Sequence, residues 1–217
     1  MEDHMKVTKY EHACLLIEEQ GQFLIIDPGI FATSLPTHTQ NVCGVVITHQ
    51  HADHLDKTRL EAIVAANPDV TLFAPKDVLA QLEDVSAKKI VAKDGANHTV
   101  SSFQLEFYGK DHAIIYEKVP CENIGVMVNK TLYYPGDSFT EPKTDVKLLA
   151  LPNGAPWMKI SEAMTFMKQV MPRAVFPTHN ALYSEAGTMI SNNWLEHEAK
   201  TIGAAWSVLE PSDSIEM

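Results

Sequence analysis

The stretch that most limits what this chain can fold into is Thr48–Leu55, THQHADHL, where His49, His51 and His54 stand close together with Asp53 among them. At the chain's own His and Asp frequencies, the pattern H-x-H-x-D-H arises by chance roughly once in a thousand sequences of this length. Histidines gather this densely where they share a ligand, and a solvated polar loop has no use for them. The motif follows an apolar run, VCGVVI, and GVVIT (44–48) reads as a short buried strand. In extended backbone, residues two apart point the same way, so His49 and His51 can grip one cation from a single loop. The chain then turns into a helix expected over 56–67, which ends before Pro68 and sends Asp53 and His54 toward a second cation.

The rest of the chain supplies a frame for such a loop. ACLLIEE and FLIID, joined by Gln20-Gly21-Gln22, read as a hairpin. VTLFA is a strand, and PKDVLAQLED opens with a proline suited to a helix's first turn. Further strands are expected over 88–93, 98–109, 124–135, 145–151, 173–177 and 206–209, with helices over 160–171 and 186–203. The order suggests helices packed outside stacked sheets, in one domain spanning 1–217. The halves also echo each other: a hairpin ending in IIDPG and a strand ending in ITH, then a run ending in YYPGD and a strand ending in PTH.

Composition narrows the function. A formal net charge of -11 repels phosphate backbones, so a general nucleic-acid binder is not expected. No apolar run reaches the roughly 18 residues that cross a bilayer, and the first residues lack the apolar core of a signal peptide. Cys14, Cys43 and Cys121 lie apart in mostly apolar segments, without CxxC spacing, and read as buried free thiols in a reducing cytoplasm.

VTKYEHACLLIEEQGQFLIIDPG, THQHADHL, YGKDHAI, YYPGDS and LPNGAPWMKISEAMTFMKQVMPRAVFPTHN follow one another in this order. With them the chain resembles the metallo-β-lactamase fold superfamily. More narrowly, it is similar to a short hydrolase-like branch that includes L-ascorbate-6-phosphate lactonase-type proteins. The resemblance implies an α/β four-layer αββα sandwich with its ligands on loops at one edge. It also implies His112 as the third histidine of the first metal site, Asp137 as a carboxylate bridging both metals, and His179 as the histidine that closes the second site. His49, His51 and His112 are then expected to converge on one point, and Asp53, His54 and His179 on another. His98 competes for the third position, but it precedes a strand rather than following one. His12 reads as a residue near the site mouth that supports a ligand or meets substrate. Asp27 reads either as the hydrogen-bond partner of a ligand histidine or as a plain turn residue.

The implied chemistry is hydrolysis of a small ester, lactone, amide or phosphodiester by a metal-bound hydroxide, with Asp53 orienting it and passing on a proton. Two divalent cations are expected; zinc suits nitrogen-rich ligands with carboxylates, and manganese or iron fits the same set. The rivals are an iron-dependent redox enzyme of the same fold, a nuclease, for which the chain lacks a basic arm, and a non-catalytic scaffold. Trp157 reads as an apolar wall over the site or as packing between a helix and a sheet. The partner is a small-molecule substrate, with no membrane; self-association is left open.

Overall fold

The computed structural model describes residues 4–118 and 120–217. Its first half comprises β1 (Lys6–Lys9), β2 (Leu15–Glu19), β3 (Gln22–Ile26), β4 (Val42–Val46), α1 (Lys57–Ala66), β5 (Thr71–Ala74), α2 (Lys76–Gln81) and β6 (Lys88–Val91). The second comprises β7 (Asn97–Val100), β8 (Phe103–Tyr108), β9 (Gly125–Val128), β10 (Leu132–Tyr134), β11 (Leu148–Pro152), α3 (Ile160–Val170), β12 (Ala174–Thr178), α4 (Glu185–Thr201) and β13 (Ala205–Trp206). A last strand, β14 (Ser214–Glu216), returns to pair with β1.

The strands form two seven-stranded sheets, ordered β14-β1-β2-β3-β4-β5-β6 and β13-β12-β11-β10-β9-β8-β7. Apolar burial divides into three clusters that define four layers. The middle cluster joins the sheets through Leu15, Ile17, Leu24 and Val46 from one and Phe107, Val126, Leu148 and Phe176 from the other. Outside the first sheet, Leu60, Ile63 and Val64 of α1 and Val78 of α2 cover Ile25, Val45 and Leu72. Outside the second, Ala163, Phe166 and Met167 of α3 and Leu195 and Ala199 of α4 cover Met127, Leu149 and Val175. The result is the αββα sandwich expected. Strands covered on both faces read as continuous apolar runs rather than alternating ones, as in β11, LLALP, buried throughout.

The halves share one wiring. Three antiparallel pairings are followed by three parallel ones: β14/β1/β2/β3 then β3/β4/β5/β6, and β7/β8/β9/β10 then β10/β11/β12/β13. Helices fill the crossovers after the first parallel strand and after the second, in both halves. This corrects the alignment suggested by sequence. Thr48-His49 follows β4, whose counterpart is β11, whereas Thr178-His179 follows β12, whose counterpart is β5. The repeat lies in the topology, and the two Thr-His pairs are not equivalent within it.

Smaller departures have local causes. The strand expected over 98–109 is a hairpin, β7-β8, turning at Ser101 with φ of 49°. Asp56 caps α1 by accepting from the Arg59 N–H at 3.2 Å. Pro75 is the N-cap of α2 rather than its first turn. β1 and β14, which were not expected, complete the first sheet at its edge.

Candidate metal centre

Parallel strands end together at one edge of the sandwich, and their loops carry the polar residues. Asp27 follows β3, the histidine motif follows β4, His112 follows β8, Asp137 follows β10 and His179 follows β12. Two glycines make the loops fit. A Cβ on Gly29 would overlap the Asp53 carbonyl, so the IIDPG turn can lie directly beneath the motif. Gly136, at φ of 63°, tucks against Asn123 and Thr48 and delivers Asp137, whose N–H is accepted by Asn123 Oδ1 at 2.9 Å. His12, Asp27 and His179 also adopt positive φ, of 64°, 47° and 56°. Such strained backbone gathers at functional sites, where packing overrules local preference.

Two groups of ligand-type atoms result, each within 4.8 Å: His49, His51, His112 and Asp137 in one, and His12, Asp53, His54 and His179 in the other. Asp137 stands between them. Its Oδ2 lies 3.4 Å from His112 Nε2 and 3.2 Å from His179 Nε2, and its Oδ1 lies 3.2 Å from His54 Nε2. All seven residues expected from sequence are therefore brought together. His98 is not: it remains within β7, its ring packed near Phe73 and Phe107.

Hydrogen bonds decide which nitrogen of each ring faces inward. His54 Nδ1 meets Asp27 Oδ2 at 2.7 Å, His112 Nδ1 meets the Ala113 carbonyl at 2.6 Å, and His179 Nδ1 meets the Gly154 carbonyl at 2.8 Å. These acceptors hold the proton on Nδ1 and leave the Nε2 lone pair pointing in. His49 follows by one more step. The Thr48 hydroxyl donates to Asp27 Oδ2 at 2.7 Å, so it accepts from His49 Nδ1, 3.0 Å away. Asp27 thus sits beneath both groups, taking the Thr48 N–H as well. Of the two readings of Asp27, it is the partner of a ligand-type histidine.

His12 is wired the opposite way. The Ala181 N–H points at its Nδ1 from 3.2 Å, so that atom is the acceptor. The neutral ring then carries its proton on Nε2 and gives it to Asp53 Oδ2 at 3.0 Å. Burial pushes the His12 pKa down to about 4, against the pull of the Asp53 hydrogen bond. Trp157 supplies a second inward donor, its indole N–H reaching Asp137 Oδ2 at 2.7 Å. Its ring also packs edge-on against Phe139, so it serves as both wall and tether. The Trp157 bond was invisible in sequence, because Trp157 and Asp137 meet only across two loops.

The arrangement fits a cation on two grounds. First, His54 Nε2, His112 Nε2, Asp137 Oδ1 and His179 Nε2 are buried without a hydrogen-bond partner, although each lies close to another of the group. Buried polar atoms are rarely left so. Second, the spacing is that of ligands around an ion. Metal–ligand bonds of about 2.0–2.1 Å in a tetrahedron put ligand atoms about 3.3–3.4 Å apart. His49 Nε2 and His51 Nδ1 are 3.0 Å apart, and Asp53 Oδ2 lies 3.5 Å from His179 Nε2 and 3.7 Å from His54 Nε2.

Charge tells the same story. Burial disfavours a charged His54, yet Asp137 and Asp27 outweigh it and hold the ring's pKa well above the ordinary value. His179 is raised to about 9, burial again being overcome, chiefly by Asp137. The carboxyls of Asp137 and Asp53 are held low despite burial, Asp137 mainly by the nearness of His54 and His179 and Asp53 mainly by the hydrogen bond from His12 and the nearness of His179. Burial and the charge on His54 push His49 well below the imidazole range. The clustered carboxylates thus favour positive charge at His54 and His179, which is the office a divalent cation performs at such a site.

Known proteins bear comparison at this point. The sequence profile of the β-lactamase superfamily domain matches residues 6–179. Protein Rv0786c of Mycobacterium tuberculosis is 35% identical over 184 residues, covering 82% of this chain and 85% of its own. A UPF0173 metal-dependent hydrolase of Carboxydothermus hydrogenoformans is 23% identical, covering 97% and 99%. Among solved structures, Igni18, a metallo hydrolase from Ignicoccus hospitalis, superposes with a TM-score of 0.76 at 22% identity, covering 99% and 98%. That last likeness is one of fold.

Proposed function

Because this chain belongs to the β-lactamase superfamily, we propose that it is a metal-dependent hydrolase, with His49, His51 and His112 holding one divalent cation, Asp53, His54 and His179 a second, and Asp137 shared between them. The observation that carries the reading is the set of four buried ligand atoms without a hydrogen-bond partner, clustered in one region. Such cations supply a Lewis acid for the substrate oxygen and a water of lowered pKa. Zinc suits the nitrogen-rich set best, and manganese or iron shares its ligand preferences.

The chain's own residues do the rest. Asp27 and Thr48 fix His54 and His49 with their lone pairs inward, through bonds of 2.7 and 3.0 Å. Trp157 holds Oδ2 of Asp137, leaving Oδ1 as its unpaired atom. Asp53 is less enclosed than the rest, its side chain 22% exposed, and is the carboxylate able to take a proton from water and return it to the leaving group. His12 steadies Asp53 with its Nε2–H and is excluded from the ligand set. As a ligand through Nε2 it would turn an Nδ1–H into the Ala181 N–H. In the overall reaction water adds to the acyl or phosphoryl centre, the bond to the leaving oxygen or nitrogen breaks, and the leaving group departs with a proton.

A small-molecule substrate is favoured over nucleic acid by the net charge of -11. The three free cysteines favour a reducing compartment such as the cytoplasm, and no helix among the described residues is long and apolar enough to cross a membrane. Elemental analysis followed by a panel of esters, lactones, thioesters and phosphodiesters tests the proposal. Chelation should abolish turnover, and zinc or manganese should restore it. Turnover undiminished after exhaustive metal removal would overturn it. Oxygen consumption by the iron-loaded protein, without hydrolysis, would favour the redox alternative.

A further inference from the structure

Large apolar side chains stand exposed on loops that lead out of the candidate centre. Twelve large apolar side chains are prominently exposed among the described residues, and six of them sit on the three loops that lead out of the centre: Ile30, Ile114, Ile115, Tyr116, Leu182 and Tyr183, 40–77% exposed. Each loop is anchored to the site before it reaches the surface. The Ile30 N–H bonds the Ala52 carbonyl within the histidine motif at 2.9 Å, and the ring of Phe31 meets that of His12 at 5.1 Å. The Ala113 N–H bonds the Asp137 carbonyl at 2.9 Å, just before Ile114. Ala181 bonds His12, and the ring of Tyr183 lies over Gly154, whose carbonyl holds His179. Exposed apolar groups cost solubility, and clustering around a polar centre marks a binding surface.

Charge points the same way. The segments 27–35, 49–56, 109–122, 135–141, 153–159 and 179–184 bear cationic side chains only at Lys110, Lys118 and Lys159, against eight acidic ones. Recognition of a phosphorylated or carboxylated substrate is served by Arg or Lys donors, whereas these loops carry more than twice as many acidic groups as cationic ones.

We infer that the substrate carries an uncharged apolar group, an acyl chain or an aromatic ring, beside the bond that is cut, and that Ile30, Ile114, Leu182 and Tyr183 seat it. This rests on the hydrolase reading above and adds a substrate class: RCO–OR′ with apolar R, cleaved by water to RCOOH and R′OH. The narrower resemblance to a lactonase of a phosphorylated sugar acid is thereby disfavoured as a guide to substrate.

Two measurements on the zinc-loaded protein test the inference separately from the reaction. In the first, 4-nitrophenyl acetate, butyrate and hexanoate are compared with the anionic 4-nitrophenyl succinate. A methylene fully removed from water contributes about 0.8 kcal/mol, or about fourfold, so partial cover should raise kcat/KM at least about tenfold from acetate to hexanoate. In the second, acetohydroxamate and hexanohydroxamate binding is measured by calorimetry, with a similar ratio expected. Leu182→Asp should flatten both series, Leu182→Met should restore them, and Met171→Lys, at an exposed residue closing α3, should leave them unchanged. A hydroxamate preference without ester cleavage would sustain the apolar seat while sinking an esterase. Cleavage with no chain-length dependence, or with succinate preferred, would overturn the inference and leave the hydrolase intact. Capture of phosphatidylcholine vesicles, lost in Leu182→Asp and without any chain-length preference, would assign the surface to a membrane and overturn it equally.

Discussion

Replacing His12 separates two roles that one glance at its position confounds. The ring is nearly fully buried, within reach of Asp53, His54 and His179, and looks like a fourth ligand. Its hydrogen bonds make it a donor instead. Two substitutions divide those bonds. His12→Asn places an amide oxygen near Nδ1, keeps the acceptor for the Ala181 N–H and tolerates the φ of 64°, but has nothing at Nε2. His12→Gln reaches the Nε2 position with an amide N–H and keeps the donor to Asp53. A hydrogen bond to an ionised acceptor contributes about 1.5–3 kcal/mol. With Asp53 partly exposed the lower part of that range applies, so losing the donor should slow turnover about ten- to thirtyfold. Metal content by elemental analysis should equal that of the parent in both variants, with turnover reduced in Asn and largely kept in Gln. Loss of one cation from both variants would refute the reasoning and make His12 a ligand.

Asp137→Ala removes the charge facing both cation points, so metal content should fall from about two per chain toward one and turnover by orders of magnitude; unchanged metal and near-normal turnover would reduce Asp137 to a turn residue. Trp157→Phe keeps the ring but not the N–H to Asp137, and should weaken metal binding by about 10–100-fold in competition with a chelating dye. Gly29→Ala pushes a methyl group into the Asp53 carbonyl and should cost about 1–3 kcal/mol in thermal unfolding. Gly21→Ala, with open space around it, should cost about 1 kcal/mol for its positive φ alone.

What could be read from sequence was what is local. The histidine motif declares itself through spacing, and α1, α3 and α4 through a period of 3.6 residues. His112, Asp137 and His179 were reached only through resemblance, since a lone histidine or aspartate after a strand has many other uses. The residues behind them were harder still: Asp27 could be read only as one of two roles, and the Trp157 bond not at all. Asp27 serves His54 and His49 from 27 and 22 residues away, and Trp157 reaches Asp137 from 20, distances at which no periodicity operates. β1 and β14 escaped notice because strands of four and three residues pair across nearly the whole chain. The Thr-His echo misled because two similar strand ends occupy different places in the duplicated wiring.

Neither cation point is furnished by one sheet. His49 and His51 leave the first sheet to meet His112 and Asp137 of the second, and Asp53 and His54 leave the first to meet His179 of the second. During synthesis the histidine motif emerges with nothing opposite it, and β12 must be made and docked before the last ligand arrives. A full ligand set, as the proposal has it, would therefore form only when both sheets have closed. A cation held there would act as a clasp at one end of the sandwich, so that opening should begin away from it, toward the pairing of β1 with β14.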